Sequence, residues 1–476
     1  MSIDLSKPMT TSACRRDFLQ NCGLGFGALA LSDLLSSESR AAGQAVNPLA
    51  PRPPHFPGTA KNIIFLFMQG GPSQLETFDP KPAMSKFDGQ LLPDSLRDFD
   101  LAQINTADSQ VMAPRFSFRK YGASGQEISS IFPELSKHAD RLAIIRSMHH
   151  ELFIHGSAMI MMHSGTRLLG HPSIGAWVTY GLGCQSDNLP AYIAMTDGIF
   201  RNGASMYTSG FLPAVYQGTD MRTEGAPIQN LHRPDSISGS EQRLLLDRIN
   251  AWNRQYRATR PGDSRLDARI ANYELAFRMQ ASAPELIDLA SETKATRDLY
   301  GVDAEPSARF GKMCLMARRM VERGVRYVQL ICGGWDAHSD CQGNHLGQAK
   351  KVDQPIAGLI TDLQQRGLLE STLLVWVGEF GRTPIRQGTS GRDHHPYGFS
   401  AWMAGGGVRG GKTIGATDDF GFAAVEDKVH VNDLHATMLG LMGIDHEELT
   451  YLFEGRYRRL TDVGGQNNLA PRLIRG

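Results

Sequence analysis

The runs VRYVQLIC (residues 325–332) and STLLVWV (residues 371–377) decide the fold. Both are short and apolar almost throughout, which is typical of strands buried on both faces of a parallel sheet. Asp336 and His338 follow the first run, and Glu379 follows the second. Because ligands bind beyond the carboxyl ends of strands in open α/β sheets, the two runs predict adjacent strands that share a metal site.

The remaining chain alternates apolar runs with helical patterns. Residues 63–68 and 142–147 read as further strands, residues 155–163 and 351–365 as helices, and residues 432–442 as a late helix capped by Asn432 or Asp433. This order predicts an α/β protein with a doubly wound, mostly parallel central sheet and helices on both faces. Helical spacing without strands predicts a helical insertion around residues 233–301.

The composition argues against several classes of protein. Lys plus Arg and Asp plus Glu both number 49 in 476 residues, so no basic bias favours nucleic acid as a partner. Six cysteines form neither a dense disulfide framework nor a zinc-binding CxxC pattern. Cys332 and Cys341 could pair in an oxidising compartment or remain free thiols. No transmembrane segment is expected after the N-terminal region.

The N-terminus has the layout of a twin-arginine export signal. Arg15 and Arg16 precede Phe18 and Leu19, a short apolar stretch follows, and small residues end the region. We expect a signal over 1–43, a Pro-rich linker over 44–58 and one α/β domain over 59–476, which predicts a periplasmic or otherwise exported protein. The alternative is a chance arginine pair.

Further candidate ligands lie in the second half of the chain. Neutral imidazoles and carboxylates bind divalent cations, so we expect a divalent metal, with zinc, calcium or manganese as candidates. The predicted ligands are Asp336, His338, Glu379, Asp393, His394 and His395. Arg382 could hold a substrate oxyanion by two hydrogen bonds, or it could simply pair with Glu379.

A second group of candidates opens the helix at residues 155–163. The helix dipole there favours an anion or an activated nucleophile, so His155 is a candidate general acid or base and Ser157 a candidate nucleophile. No Gly-x-Ser-x-Gly elbow surrounds Ser157. The Gln69–Gln74 turn after the first strand could form a backbone anion nest or a plain tight turn.

The order of these motifs resembles a family. Residues 68–74 and 77–82, with GEFGRTP at 378–384 and GRDHHP at 391–396, resemble the bacterial "domain of unknown function 1501" proteins. More remotely, the chain resembles the alkaline phosphatase and sulfatase superfamily, whose metal ligands follow consecutive strands. The resemblance departs where that superfamily has an Asp after the first strand, here Gln69 or Gly70, and Asp79 is a conceivable substitute.

The resemblance implies a fold and two competing functions. One is an exported metal-dependent hydrolase of phosphate or sulfate esters, acting on an anionic ester or a sulfated or phosphorylated glycan. In it, Arg382 or Arg167 would hold the oxyanion, and His155 or Ser157 would do acid–base or nucleophilic work. The other is a non-catalytic envelope protein that binds a glycan or a protein on a degraded hydrolase fold.

Overall fold

The computed structural model describes residues 47–94, 108–223, 228, 233, 235–260, 264–462, 464–466 and 468–474. The helices are α1 Gln74–Thr77, α2 His155–Ser164, α3 Ile174–Leu182, α4 Gly239–Ala258, α5 Ser264–Ile287, α6 Lys294–Tyr300, α7 Ala308–Glu322, α8 Cys341–Gln365, α9 Val431–Leu441 and α10 Ala470–Ile474.

The strands, in chain order, are β1 Asn62–Met68, β2 Phe118–Tyr121, β3 Gln126–Ser129, β4 Ala143–His149, β5 Tyr192–Thr196, β6 Thr219–Asp220, β7 Tyr327–Cys332, β8 Thr372–Val377, β9 Gly381–Arg382, β10 His394–His395, β11 Phe399–Ala404, β12 Lys412–Ile414, β13 Ala416–Thr417, β14 Ala424–Glu426, β15 Val429–His430, β16 Tyr451–Phe453 and β17 Arg456–Arg458.

The central sheet has nine strands in the order β12-β4-β11-β8-β1-β7-β5-β6, with β15 also paired to β4. Strand β11 runs antiparallel to its two neighbours, β4 and β8, and the other pairs in this sheet are parallel. The predicted mostly parallel sheet is therefore confirmed. The expectation that the two opening runs are adjacent strands is wrong, because β1 lies between β7 and β8.

Two apolar layers cover the two faces of the sheet. Side chains alternate along β1, so Phe65 and Phe67 join one layer while Ile64 and Leu66 join the other. The first layer includes apolar residues of α2, α3 and α9, and the second includes those of α7 and α8. This arrangement explains why β1 is apolar at nearly every position and why it takes the centre of the sheet.

Several element boundaries differ from the sequence-based predictions. Helix α8 begins at Cys341, ten residues before the predicted start, because Asp340 accepts a hydrogen bond from the Gly343 nitrogen and caps it. The cap of α9 is His430, whose ring accepts a bond from the Asn432 nitrogen, rather than Asn432 or Asp433. The predicted insertion contains α4, α5 and α6.

Other expectations have different outcomes. The predicted export signal lies outside the described residues. Cys332 and Cys341 are both free and buried, as are Cys184 and Cys314. Among the described residues, no helix combines the length and apolar character needed to cross a membrane.

Candidate metal centre

Four side chains offer ligand atoms that converge at one edge of the sheet. One nitrogen each from His155, His338 and His394 and one carboxylate oxygen of Asp336 lie within 4.8 Å of one another. The Nε2 atoms of His155, His338 and His394 lie 3.2, 2.9 and 3.5 Å, respectively, from a carboxylate oxygen of Asp336. The Nε2 atoms of His338 and His394 are 2.9 Å apart. Ligands bound to a tetrahedral zinc ion at about 2.1 Å lie about 3.4 Å apart, so these distances suit a single ion.

The sheet topology explains how residues so distant in sequence meet. Strands β1, β4, β7 and β8 are mutually parallel, so their carboxyl ends share one edge. His155 opens α2 after β4, and Asp336 and His338 lie in the loop after β7. His394 lies on β10, which pairs with β9 shortly after β8. The site is therefore built where an open α/β sheet binds ligands.

Each imidazole has its Nδ1 atom occupied by a hydrogen-bond acceptor. The partners are Glu379 Oε1 for His155 at 2.6 Å, Gln387 Oε1 for His338 at 2.6 Å and the Phe153 carbonyl for His394 at 2.8 Å. Carboxylate and carbonyl oxygens only accept, so Nδ1 carries the proton and Nε2 presents a lone pair. Such partners orient histidine ligands in metal sites.

The Nε2 atoms lack protein partners suited to that tautomer. His155 Nε2 is buried and makes no hydrogen bond within the described residues, although Asp336 Oδ2 is 3.2 Å away. The Nε2 atoms of His338 and His394 face each other at 2.9 Å. Two neutral imidazoles arranged in this way direct lone pairs at one another, which is unfavourable unless a cation or a proton lies between them.

The electrostatics of the cluster favour a negative Asp336. Burial raises the pKa of the Asp336 carboxyl, but the imidazoles of His155 and His394 and the Arg382 guanidinium outweigh it and hold the pKa well below its usual range. Burial lowers the pKa of His155, but the facing carboxylates of Asp336 and Glu379 outweigh it and raise the pKa. Asp336 therefore remains an anionic ligand candidate across the physiological range.

Glu379 lies behind His155 rather than among the four converging residues. Its buried carboxylate accepts the His155 Nδ1 hydrogen bond and two contacts, at 2.9 and 3.0 Å, from the Gly70 nitrogen. Gly70 has a φ of 119°, and a Cβ there would lie 2.5 Å from the Asp336 nitrogen. The predicted direct ligand role of Glu379 is thus replaced by an orienting one, and the turn's amide binds this carboxylate.

Arg382 does not face solvent or a substrate. It is fully buried and donates to the carbonyls of Gly70, Gly71 and Arg392 and to Asp336 Oδ1 at 2.7 Å. These bonds engage the guanidinium with the protein itself, so this geometry does not favour the predicted oxyanion role. Arg382 instead holds Asp336 in place, and within the described residues no ion pair joins it to Glu379.

Three further predicted site residues, His395, Asp393 and Ser157, do not join the four converging groups. His395 lies outside the cluster, because the pleat of β10 turns its ring away from His394 and into the core, where it bonds to the Phe422 carbonyl. Asp393 lies outside the four converging groups, with Oδ1 3.8 Å from His338 Nδ1. The Ser157 hydroxyl donates to the Ile154 carbonyl at 3.1 Å, which leaves it without the basic partner that a nucleophile needs.

Two relevant residues were missed, or assigned another role, from sequence. His155 was predicted as an acid or base, yet its Nε2 joins the ligand cluster. Arg201, after β5, places its guanidinium 3.5 Å from Asp336 Oδ2 and is 40% exposed. Arg167 lies beyond the end of α2 opposite His155. Asp79 is buried against Lys81 and Thr417, so it does not supply the missing carboxylate.

The donor set fits some of the expected metals better than others. Three imidazole nitrogens and one carboxylate suit zinc, manganese or iron, whereas calcium takes six to eight oxygen ligands. The orphaned Nε2 atom of His155 and the facing Nε2 atoms of His338 and His394 both fit a bound cation. The cluster is therefore a candidate centre for a transition metal rather than for calcium.

The fold and the cluster define an α/β protein with a candidate mononuclear metal centre at the carboxyl edge of its sheet. The family model described as "Protein of unknown function (DUF1501)" matches residues 60–471. The chain belongs to this family, as its motifs predicted. No curated protein sequence matches the chain.

The chain is also similar to solved structures that include a lipoteichoic acid synthase, an alkaline phosphatase and a sulfatase. One is the lipoteichoic acid synthase LtaP from Listeria monocytogenes, with 10% identity, coverage of 84% of this chain and 77% of that chain, and a TM-score of 0.37. Alkaline phosphatase from the Antarctic bacterium TAB5 has 10% identity, coverage of 81% and 98%, and a TM-score of 0.33.

A third is the sulfatase PsFucS1 from Pseudoalteromonas sp., with 12% identity, coverage of 88% of this chain and 72% of that chain, and a TM-score of 0.35. These likenesses are too distant to assign an activity.

Proposed function

We propose that the chain is a metal-dependent hydrolase of anionic esters, with phosphate or sulfate esters as the substrate class. The observation that carries the proposal is the convergence of three Nε2 lone pairs and the Asp336 carboxylate, each held by a partner behind it. A divalent cation held there would supply Lewis-acid polarisation of an ester oxygen.

Two positively charged features beside the cluster favour a negatively charged substrate. Arg201 is partly exposed beside Asp336, and its guanidinium can form bidentate hydrogen bonds with a phosphate or sulfate group. The first turn of α2 has no side-chain cap, so its amide groups add a positive dipole end beside His155. Both features favour an anionic ester over a neutral one.

The chain's own groups divide the remaining work between binding and orientation. His155, His338, His394 and Asp336 would hold the cation. The three imidazoles donate their Nδ1 protons to Glu379, Gln387 and the Phe153 carbonyl, which fixes the orientation of each ring. Since the Ser157 hydroxyl bonds to a backbone carbonyl, attack by water is favoured over a serine nucleophile.

Ligand number bears on which cation supports catalysis. Four protein ligands fill a tetrahedral zinc site, whereas catalytic zinc sites keep one position for water or substrate. Substrate access at this cluster therefore requires an ion that accepts a fifth or sixth ligand. Manganese and iron do so readily, which favours them over a strictly tetrahedral zinc ion.

The test combines metal content with hydrolysis, and adjacent histidines provide a matched pair. Elemental analysis of purified protein should find about one transition-metal ion per chain. His394→Gln should lose most of it, while His395→Gln should retain it, because only His394 faces the cluster. Aryl phosphate, aryl sulfate and bis-aryl phosphodiester hydrolysis should follow metal content.

A second pair of variants isolates the substrate side. Arg201→Ala should keep the metal and lower kcat/KM about tenfold to hundredfold, the value of one or two charged hydrogen bonds. Arg222→Ala, another exposed arginine, should change neither. A metal-loaded protein that hydrolyses none of the three ester classes but binds a sulfated glycan would favour the non-catalytic alternative.

A further inference from the structure

Helix α4 carries an apolar stripe that no part of the described chain covers. Leu245, Ile249, Trp252 and Tyr256 are exposed and follow one another at intervals of four, three and four residues. That spacing places all four on one face of a helix, and exposed Leu244 lies beside them. Together these five residues form the α4 apolar stripe, in which Trp252 is 68% exposed.

The helix is fixed with this stripe facing outwards. On the opposite side, Leu246 and Asn250 are buried, and Asn250 Nδ2 donates to Glu274 of α5 at 2.6 Å. Arg243 donates to the same carboxylate at 2.9 and 2.8 Å. Ser238 and Glu241 form a capping box at the start of α4. The stripe could turn inward only by breaking these contacts.

Positive charge flanks the stripe. Residues 248–262 contain Arg248, Arg254, Arg257 and Arg260 and no Asp or Glu, and Asp247, just before them, is paired with Arg243. Helical spacing places Arg248 beside the stripe and Arg254 on the opposite face. Arg248 is exposed one helical turn before Trp252, and the Arg260 guanidinium lies 3.6 Å from the centre of the Tyr256 ring. A twofold contact through this face would bring arginines towards arginines, which opposes a second copy as its partner.

We propose that the α4 apolar stripe docks the protein on an anionic membrane surface. Amphipathic helices with Trp, Leu and aromatic residues on one face and arginines around it lie in the plane of the bilayer interface. The indole and phenol rings fit the headgroup level, and the arginines pair with lipid phosphates. Docking of this kind would hold the chain at a lipid surface without any segment crossing it.

The chain contains its own spectroscopic reporter for this contact. Of its five tryptophans, Trp252 is exposed, and the other four, Trp177, Trp335, Trp376 and Trp402, are buried with at most 1% exposure. A change of polarity at the stripe therefore alters the emission of one tryptophan. Vesicles of phosphatidylcholine, alone or with about one third phosphatidylglycerol, are suitable probes.

With the phosphatidylglycerol vesicles, we expect a blue shift of the Trp252 emission and co-sedimentation of the full chain. Binding should be weaker to phosphatidylcholine alone and should be reduced by salt. The double variant Trp252→Ser, Tyr256→Ser should lose partitioning about tenfold or more, and Arg248→Glu should weaken it. Tyr457→Ser, which removes a ring with 73% exposure on β17, is the matched control and should bind normally. Every variant retains the same N-terminus, so the differences report the stripe.

Unchanged melting temperatures would show that these surface variants fold. Absence of partitioning to phosphatidylglycerol vesicles at low salt overturns the proposal, and so does equal partitioning of the double variant. A dimer in sedimentation equilibrium that shields Trp252 and dissociates in Trp252→Ser would also overturn it, because the partner would then be a second copy.

Discussion

The orienting role assigned to Glu379 makes a sharp prediction about metal affinity. In Glu379→Gln, the charge is lost while the shape of the side chain is kept. Oε1 accepts from both His155 Nδ1 and the Gly70 nitrogen, and Oε2 accepts from the Gly70 nitrogen, so the new NH₂ group must oppose one of these donors. At the Oε1 position it would force the His155 proton to Nε2, where the lone pair is needed for metal binding. At the Oε2 position it would oppose the Gly70 N–H and leave His155 with a neutral acceptor. Either arrangement weakens one ligand while the fold is retained.

Two estimates of the magnitude agree. The bond that is lost or loses its charge spans 2.6 Å and involves a carboxylate, and such charge-assisted bonds contribute up to about 1.5–3 kcal/mol. At about 1.4 kcal/mol per factor of ten, this corresponds to roughly tenfold to hundredfold weaker binding. Removal of hydrogen-bond partners behind metal ligands generally costs about the same factor.

Competition titration of metal-free protein with a chelator of known affinity measures this effect. Glu370→Gln, at an exposed glutamate, is the control and should bind the metal as the unaltered chain does. His155→Ala should lose much more than a hundredfold, because it removes a ligand. Wild-type affinity in Glu379→Gln would refute the orienting role, and a loss equal to that of His155→Ala would make Glu379 a direct ligand.

Three further predictions concern stability. Burial lowers the pKa of five histidines to about 4, or to about 3 for one of them, so below pH 6.5 the unfolded chain binds protons that the folded chain does not. Each of these histidines should therefore lower the free energy of unfolding by up to about 1.4 kcal/mol per pH unit as the pH falls from 6.5 to about 4. The effect is measurable as a falling melting temperature, and replacing one of the histidines by Gln should reduce the dependence on pH. These residues are His150, His163, His345, His395 and His435. Gly70→Ala should destabilise the fold by at least about 1–3 kcal/mol in urea unfolding, while Gly198→Ala, where nothing lies within 4 Å, should not. Glu76→Ala leaves Arg392 charged and buried and should cost about 3–5 kcal/mol; a loss below 1 kcal/mol would show that the pair contributes little.

The strands of the sheet were predictable because each forms a continuous apolar run in the sequence. Residues 63–68 and 373–377 are apolar without interruption, a pattern typical of a strand covered on both faces. The order of strands was not predictable in the same way. The sequence of β1 does not indicate that β1 lies between β7 and β8, because the three strands have the same kind of apolar composition.

The candidate centre was predictable by location and less so by role. Residue type and position after a strand pointed to Asp336, His338 and His394, all of which converge. Roles depend on which face a side chain takes and on its burial. His395 differs from His394 by one step of the β-pleat, and that step sends its ring into the core. The roles predicted for Arg382 and Glu379 did not include their full burial, because that burial arises from segments distant in sequence.

Charge balance links metal binding to the proposed substrate. Asp336 contacts the guanidinium groups of Arg382 and Arg201, while Glu379 and Asp393 lie beside His155 and His338. The formal charges of these three carboxylates and two guanidinium groups leave the cluster one unit negative. A negative cluster attracts a cation. Once a divalent cation is held, the same formal count becomes one unit positive, and the partly exposed Arg201 lies at its edge. Each state thus favours what must bind next, first a cation and then an anion, and a neutral glycan would gain nothing from this field.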